Sequence, residues 1–319
     1  MLLKRWAAAL VLAATAAFAQ DPAASYPSKP IHVIVPFTAG SATDILARTF
    51  GERLTAAWGQ PVVIENKPGA GGSIGAGVVA KSPPDGYTLV VVSTGHVVND
   101  VLYTNLDYDT VRDFAGVAPL GSLPSVLIVP PSLGVKNVRE LVALAKQKPG
   151  ELNFCSAGIG SASHINQEKF VHTTGINAVH IPMKGTPDML NEMMGGRVQM
   201  GWMPLISSVG PLKDGKLTAL AVSTPARSSV LPDVPTIAEA GYPAAEFNFW
   251  VALLAPAKTP REIVRKLNAE IVKAAQSPEV RQRLESLGAE PMPMNPEQFD
   301  VFLKQEHDTL GKVMQAAKK

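Results

Sequence analysis

The stretch Ile31 to Asp44, IHVIVPFTAGSATD, decides the fold of this sequence. Four of its first five residues, Ile31, Val33, Ile34 and Val35, are β-branched and uncharged. This predicts a strand buried on both faces, as in parallel sheets. Pro36 ends that strand, and the residues after it are small, with Gly40 able to adopt a positive φ. Large apolar residues then recur every four positions from Leu46 to Trp58, which predicts an amphipathic helix packed on the sheet.

The loop between this strand and this helix is suited to bind an anion. The first N–H groups of a helix have no intrahelical partner and lie at the positive end of its dipole. A purely structural alternative is that Ser41 caps the helix and Asp44 completes a capping box, with nothing bound. Because a cap satisfies only one or two N–H groups, capping and ligand binding are compatible.

Residues 1–19 have the pattern of a secretory signal peptide. Lys4 and Arg5 precede an apolar stretch at 6–18, and Ala17-Phe18-Ala19 forms a small-x-small cleavage pattern before Gln20. No later stretch approaches the roughly 18 apolar residues of a membrane span. We therefore expect a soluble mature protein that is exported to the periplasm.

Composition excludes several function classes. The chain has 29 basic and 27 acidic residues, and removing Lys4 and Arg5 makes the mature chain formally neutral, which argues against a nucleic-acid partner. Cys155 is the single cysteine, so no intrachain disulfide can form. The histidines are scattered without metal-ligand spacing, so neither a metal nor a cofactor is expected. A mature length of about 300 residues predicts two domains.

The strand, small-residue loop and helix recur twice in the first third of the chain. We predict strands at 61–65 and 87–93, the first followed by a helix ending at 81 and the second by a helix opened by Thr94-Gly95. The carboxyl ends of parallel strands meet at one edge of an α/β sheet. The ligand site is therefore predicted at that edge, where Ser93 and Thr94 also lie.

A second α/β unit begins near Ser125. Its predicted strands are at 126–129, 152–155, 179–182, 198–203 and 217–223, and its predicted helices at 137–148, from 163 onward, and at 186–194. The Gly/Ser loop at 156–161 repeats the arrangement of the opening stretch. The last third is predicted as helices at 236–240, 260–276, 278–287 and 296–317 with one strand at 247–254, and is expected to return to the first lobe.

Two lobes follow from this order, with the chain crossing between them twice. The crossings are predicted near 120–124 and 224–232. The first lobe would comprise residues 26–123 and 225–319, and the second residues 124–224.

Ordered motifs along the whole mature chain carry a family resemblance. They include YPSKPI at 26–31, GQPVVIENKPGAGG at 59–72, PDGYTL at 84–89, SAGIGSASH at 156–164, LPDVPTIAEAG at 231–241 and LLAPAKTP at 253–260. The sequence resembles the substrate-binding receptors of tripartite tricarboxylate transporters, the Bug-type periplasmic receptors. The resemblance implies a type II periplasmic binding fold, in which two α/β lobes joined by a double hinge close on a small carboxylate in the cleft between them. It also implies a monomer that meets membrane transporter subunits transiently and performs no catalysis.

In that family, the loop after the first strand holds a carboxylate through backbone and small polar groups. Carried over, this loop is 37–44 here, and 157–164 faces it from the other lobe. The ligand-binding residues predicted from the loops, the strand ends and the resemblance are Phe37, Thr38, Ala39, Gly40, Ser41, Thr43, Asp44, Ser93, Thr94, Ala157, Gly160, Ser161, Ser163, His164, Lys184 and Met203.

The chain departs from the family pattern at several of these places. The first loop has side chains at Thr38 and Ser41 where relatives usually have proline and glycine, and Met183 stands where many relatives have tyrosine. Met203, beside Trp202, replaces an aspartate, which argues against an amino-acid ligand and favours a dicarboxylate or an aromatic carboxylate. Core packing is an equal interpretation of Met203 and Trp202. Lys184 is either a contact for a second carboxylate or simply solvated.

Two other functions compete with a transport receptor. Ser161 or Ser163 with His164 resembles the nucleophile and base of a hydrolase, but the sequence has no GxSxG elbow. A sensor that presents its ligand to a signalling receptor would use the same closing lobes, and the sequence does not separate it from a transport receptor.

Overall fold

The computed structural model describes residues 23–317, and the predicted signal peptide at 1–19 lies outside them. The strands are β1 Ile31–Val35, β2 Val62–Asn66, β3 Thr88–Ser93, β4 Phe114–Leu123, β5 Ser125–Val129, β6 Asn153–Ser156, β7 Val179–Pro182, β8 Gly201–Pro204, β9 Thr218–Val222 and β10 Phe249–Pro256. The helices are α1 Ala42–Trp58, α2 Ser73–Ala80, α3 Asn99–Leu102, α4 Val138–Gln147, α5 Ala162–Thr174, α6 Thr186–Met194, α7 Leu205–Lys213, α8 Arg261–Gln276, α9 Pro278–Ser286 and α10 Pro296–Ala317. Short 3₁₀ helices lie at Ala70–Gly72, Thr94–Val98, Pro131–Leu133 and Pro243–Ala245. Within 23–317, no helix has the length and apolar character of a membrane span.

The first lobe is built on a five-stranded mixed sheet. Its strand order is β2-β1-β3-β10-β4. β1 pairs in parallel with β2 and β3, whereas β10 is antiparallel to both of its neighbours. The carboxyl ends of β1, β2 and β3 therefore share one edge, as the sequence predicts, and the loops after them meet there.

The second lobe is built on two smaller sheets that touch. One has the order β8-β5-β9 and is antiparallel, and the other pairs β6 with β7 in parallel. A bridge between Phe154 and Met200 joins them, and Cys155 N donates to the Met200 carbonyl at 3.1 Å. The second lobe thus has a nearly continuous sheet in the order β7-β6-β8-β5-β9.

The C-terminal helices return to the first lobe and complete its core. Leu267 of α8 and Phe299 of α10 belong to the same buried cluster as Ile31 of β1 and Leu46 of α1. Two further buried clusters lie in the second lobe, although Ala162, Ile165 and Ile206 of that lobe pack in the first cluster. The result is two α/β lobes with a cleft between them, as the sequence predicts.

The two crossing segments run side by side. β4 ends at Leu123 and β5 begins at Ser125, so Pro124 alone connects the lobes on the first crossing. On the return path, Ser223 Oγ accepts the N–H of Ser125 at 3.2 Å and donates to the Phe247 carbonyl at 2.9 Å. A buried serine therefore ties both crossings together at the hinge.

Some sequence predictions differ from the structure. Residues 236–240 form a turn instead of a helix, because Thr236 pairs with Val222 at the edge of β9. The ten-residue strand β4 was not predicted, since its glycines and proline resemble a loop. The helix predicted after Thr94 is a 3₁₀ turn followed by the short α3, and the strand predicted at 198–203 is shortened to β8.

Candidate functional site in the cleft

A cavity lies where the two lobes meet, at the edge predicted for the site. The empty space in and around it is about 300 Å³ and includes open solvent. Six apolar residues and five hydroxyl residues line it, and all eleven are uncharged. They are Phe37, Ser41, Ala42, Thr43, Ala157, Ser161, Ala162, Ser163, Thr186, Pro204 and Phe249.

Four helix N-termini surround this cavity. α1 contributes its cap and first turn, and α5 contributes its cap and first turn from the opposite lobe. α6 begins at Thr186 and α7 follows Pro204, and both of these residues also line the cavity. The unpaired N–H groups and positive dipole ends of four helices favour an anion without any basic side chain.

The N-terminus of α1 has a hydroxyl with no partner. The side chain of Ser41 makes no capping hydrogen bond. Thr43 is 2% exposed, and its Oγ1 has no hydrogen-bond partner within the described chain. Because buried hydroxyls are normally paired, Thr43 and the first-turn N–H groups are available to an acceptor in the cavity.

Asp44 lies behind this loop and holds it. Its Oδ2 accepts the N–H of Gly40 at 2.9 Å, and Arg48 contacts both of its oxygens at 3.1 and 2.9 Å. Asn66 Nδ2 donates to Asp44 Oδ1 at 2.9 Å and to the Phe37 carbonyl at 3.0 Å. Burial raises the pKa of the Asp44 carboxyl, but the hydrogen bonds from Arg48, Gly40 and Asn66 outweigh burial and hold it below its ordinary value.

The predicted capping box is therefore wrong in its details. Ser41 is the N-cap by position, but Asp44 bonds to Gly40, one residue before the cap, instead of to Ser41. The reason is that Gly40 has φ +82°, which bends the loop so that the Gly40 N–H reaches the carboxylate. This arrangement leaves the α1 terminus open.

The facing loop, 156–163, is held by hydroxyl groups. Ser163 Oγ accepts the N–H of Ala157 at 2.9 Å, and Ser161 Oγ accepts the N–H of His164 at 3.3 Å. Ser156 Oγ accepts the N–H of Gly158 at 3.1 Å and lies 2.6 Å from Nε2 of His180. These hydrogen bonds hold the loop in its conformation.

Two histidines stack under this loop. The rings of His164 and His180 are 4.4 Å apart with planes inclined by 22°. Burial, together with a smaller effect of the neighbouring His180, lowers the pKa of His164 to about 4. Burial also lowers the pKa of His180 to about 4. Both imidazoles are therefore neutral at physiological pH.

Ser161, Ser163 and His164 are not arranged as the nucleophile and base of a hydrolase. His164 Nδ1 accepts the N–H of Gly160 at 3.3 Å, and its Nε2 lies 3.5 Å from a Glu168 oxygen. Within the described chain, neither ring nitrogen bonds to Ser161 or Ser163. Ser156 does contact His180, but it is 0% exposed, so a substrate cannot reach it.

The structure brings most of the predicted site residues together. Six of them line the cavity: Phe37, Ser41, Thr43, Ala157, Ser161 and Ser163. Thr38, Ala39 and Gly40 belong to the same loop, and Asp44 and His164 lie behind the two loops. Ser93 lines a small adjoining gap with Phe37. Thr94 bonds to β10 within the first lobe, where Trp250 N donates to its Oγ1 at 2.8 Å. Gly160 lies against the facing lobe.

Two predicted residues do not line the cavity. Lys184 is exposed, in accordance with the solvated alternative. Met203 is 0% exposed and packs with Val126 and Met189 in a hydrophobic cluster. Trp202 is likewise 0% exposed and packs in a second cluster, so core packing describes both side chains in this structure.

Sequence reasoning did not name five residues that line the cavity, although two of them lie within the predicted loops 37–44 and 157–164. They are Ala42, Ala162, Thr186, Pro204 and Phe249. Thr186 follows β7 and Pro204 is the last residue of β8. Both lie where a helix starts, so the strand-to-helix rule applied to the first lobe finds them too. Phe249 begins β10 and arrives from the C-terminal third, for which the local sequence gives no signal.

The chain was compared with known families and solved structures. Residues 46–318 match the model of the tripartite tricarboxylate transporter family receptor. The structure is similar to that of R. palustris Rpa4515 with adipate, with 36% identity, a TM-score of 0.89 and coverage of 92% of this chain and 98% of that one.

Two further solved structures agree with this match. The periplasmic binding protein BugD has 32% identity and a TM-score of 0.88, with coverage of 92% and 99% of the two chains. MatC (Rpa3494) from Rhodopseudomonas palustris with bound malate has 33% identity and a TM-score of 0.86, with coverage of 90% and 99%. With the family model matched over most of its length, the chain belongs to the tripartite tricarboxylate transporter receptor family.

Proposed function

We propose that this protein is a periplasmic solute-binding receptor that captures a small aliphatic dicarboxylate by lobe closure and delivers it to a tripartite tricarboxylate-type membrane transporter. The observation that carries the proposal is the convergence of four helix N-termini from two lobes on one uncharged cavity. Binding there requires no covalent chemistry, so we propose no enzymatic activity.

The cavity chemistry supports a carboxylate in particular. Helix N–H groups stabilise negative charge, and the hydroxyls of Thr43, Ser161 and Thr186 supply further donors. An ammonium group would find no carboxylate among the described lining residues, and burying it unpaired is costly. The lining thus favours dicarboxylates over amino acids.

The body of the ligand is proposed to be short and aliphatic. Similar proteins have been solved with adipate and with malate, both of which are aliphatic dicarboxylates. The aromatic alternative relied on Trp202 and Met203, and neither lines the cavity. Phe37 and Phe249 are the aromatic walls that remain, and they pack equally well on methylene groups.

Capture is proposed to occur by hinge closure between lobes 26–123 plus 225–319 and 124–224. The crossing at Pro124 and the Ser223 bonds support the boundary near Pro124. Residues 236–245 after the second crossing still pack on the second lobe, since Ile237 and Ala245 lie in its buried cluster. Export to the periplasm, a monomeric state, and delivery to a transporter instead of a signalling receptor rest on the family. Loss of uptake of radiolabelled ligand on deletion of the gene would support delivery, whereas unchanged uptake with an altered transcriptional response would favour a sensor.

The ligand class is tested by thermal unfolding of residues 20–319 with a panel of compounds. The panel contains adipate, malate, benzoate, glutamate and phosphate. A ligand at 100 times its Kd adds about 2.7 kcal/mol to the free energy of unfolding, which raises the midpoint by several degrees. We expect a shift with an aliphatic dicarboxylate and none with glutamate. A shift with benzoate alone would replace the aliphatic assignment, and a shift with glutamate would contradict the role of the uncharged lining.

A further inference from the structure

The two lobes touch through backbone atoms beside the cavity. A Cβ placed on Gly95 of the first lobe would overlap the Gly160 carbonyl oxygen and lie 2.7 Å from Ala162 N. Gly95 does not have a positive φ, so its backbone would accept alanine, and only the facing lobe excludes a side chain. The glycine at position 95 therefore permits the close approach of the two lobes in this structure.

A tyrosine bonds across the same contact. Tyr103 follows α3 in the first lobe, and its hydroxyl donates to the carbonyl of Ile159 in the second lobe at 2.6 Å. The Tyr103 ring also approaches Gly160, where a Cβ would lie 3.3 Å from Cε2. Burial raises the pKa of this phenol, so it remains a donor at physiological pH.

The contact is continuous with the loop that lines the cavity. Ile159 and Gly160 immediately precede Ser161, the N-cap of α5. A bond that fixes the Ile159 carbonyl therefore fixes the start of α5 relative to the first lobe. The apparent Kd equals the intrinsic Kd divided by the fraction of molecules in the binding-competent state. Contacts that favour closure raise this fraction and therefore lower the apparent Kd.

We propose that Tyr103 and Gly95 are positioning residues for ligand binding. The Tyr103 hydroxyl donates to the Ile159 carbonyl across the cleft, and Gly95, which has no side chain, lets the two lobes come close enough for that bond to form. Neither residue lines the cavity. The inference rests on the proposed function for its ligand, and on the contacts between the lobes for its mechanism.

The first test compares Tyr103→Phe with the wild type by calorimetric titration with adipate and malate. Loss of one hydrogen bond predicts about a fivefold higher Kd, expressed as faster dissociation in stopped-flow measurements. The control is Tyr242→Phe, whose ring packs on Phe170 in the second lobe away from the cleft, and its Kd should not change.

The second test uses Gly95→Ala, which should raise the Kd roughly tenfold to a hundredfold, because overpacking a tight contact costs about 1–3 kcal/mol. Gly210→Ala is the matched control, since a Cβ there meets no atom within 4 Å. Equal affinities of Tyr103→Phe, Gly95→Ala and wild type would overturn the proposal.

Lobe separation is measured independently of any ligand. Spin labels at Glu52→Cys and Lys146→Cys report the distance between the lobes, and the native Cys155 is buried and does not compete. Gly95→Ala should shift the distance distribution to longer values. If the wild type binds neither adipate nor malate, the ligand assignment fails, but this measurement still decides: longer distances support the positioning role, and identical distributions overturn it.

Discussion

The carboxylate of Asp44 accepts the backbone N–H of Gly40 at 2.9 Å, four residues earlier and outside the helix that Asp44 helps to begin. The bond turns the loop after β1 back on itself. It explains how a loop that contains side chains at Thr38 and Ser41 still leaves the first turn of α1 open to the cavity. The carboxylate thus supports the binding loop without lining the cavity itself.

Replacing Asp44 with alanine should weaken both the fold and ligand binding. The substitution leaves the Gly40 N–H without its acceptor and removes one of the two acceptors of the Asn66 amide, which costs about 1–3 kcal/mol of unfolding free energy. We expect roughly a tenfold rise in Kd, equivalent to about 1.4 kcal/mol, measured by urea unfolding and calorimetry. Asp308→Ala, which removes an exposed partner of Lys304, is the control and should change neither quantity. An unchanged Kd in Asp44→Ala would show that the loop does not hold the ligand.

Thr43→Val separates binding from folding more cleanly. Valine has the shape of threonine, and the lost hydroxyl has no partner within the described chain, so stability should be unchanged or slightly higher. If the hydroxyl contacts a carboxylate, the Kd should rise about tenfold or more, as expected for a hydrogen bond to a charged group. Thr259→Val removes another buried and unpaired hydroxyl away from the cavity and should leave the Kd alone. Equal Kd values for the two variants would count against a ligand at the α1 terminus.

The stacked pair His164 and His180 predicts a dependence of stability on pH. Their folded pKa values of about 4 lie below the ordinary 6.5. Between these values the unfolded chain binds protons that the folded chain does not, so the free energy of unfolding should fall as the pH drops from 6.5 to about 4. Below about 4, the pair adds no further loss.

Urea unfolding at pH 7.5, 5.5 and 4.5 checks this. The double variant His164→Gln/His180→Gln should show a flatter profile than the wild type. Glu168, whose pKa burial raises, contributes in the opposite direction. His172→Gln, on an exposed part of α5, should keep the wild-type slope. Parallel profiles for wild type and double variant would contradict the burial of neutral imidazoles.

Local sequence patterns predict the first lobe well because its elements are regular. The buried strands β1 and β3 and the apolar stripe of α1 each have an unambiguous period, and the short loops after them fix the edge of the sheet. The strand β4 could not be predicted from its local sequence, because β10, α8 and α10 bury it and lie more than a hundred residues away in the chain. Tertiary contacts therefore override its weak local signal.

Only those site residues that belong to the two binding loops could be predicted from the sequence. Phe37, Ser41 and Ser161 lie in loops whose composition indicates their role. Asn66 and Arg48 support the first loop through long side chains, and their contacts depend on how β2 and α1 pack. The Tyr103 contact depends on the second lobe. Such relationships arise from the assembled fold, and no window of sequence contains them.

The measurement that tests the central claim most directly is a crystal structure of the mature protein with the dicarboxylate that gives the largest thermal shift. We predict one carboxylate group in the cavity, with oxygens about 2.7–3.2 Å from the first-turn N–H groups of α1. The other end should face the start of α5 or α6. A ligand bound elsewhere, such as the apolar groove between α8 and residues 291–294, would contradict the proposed site.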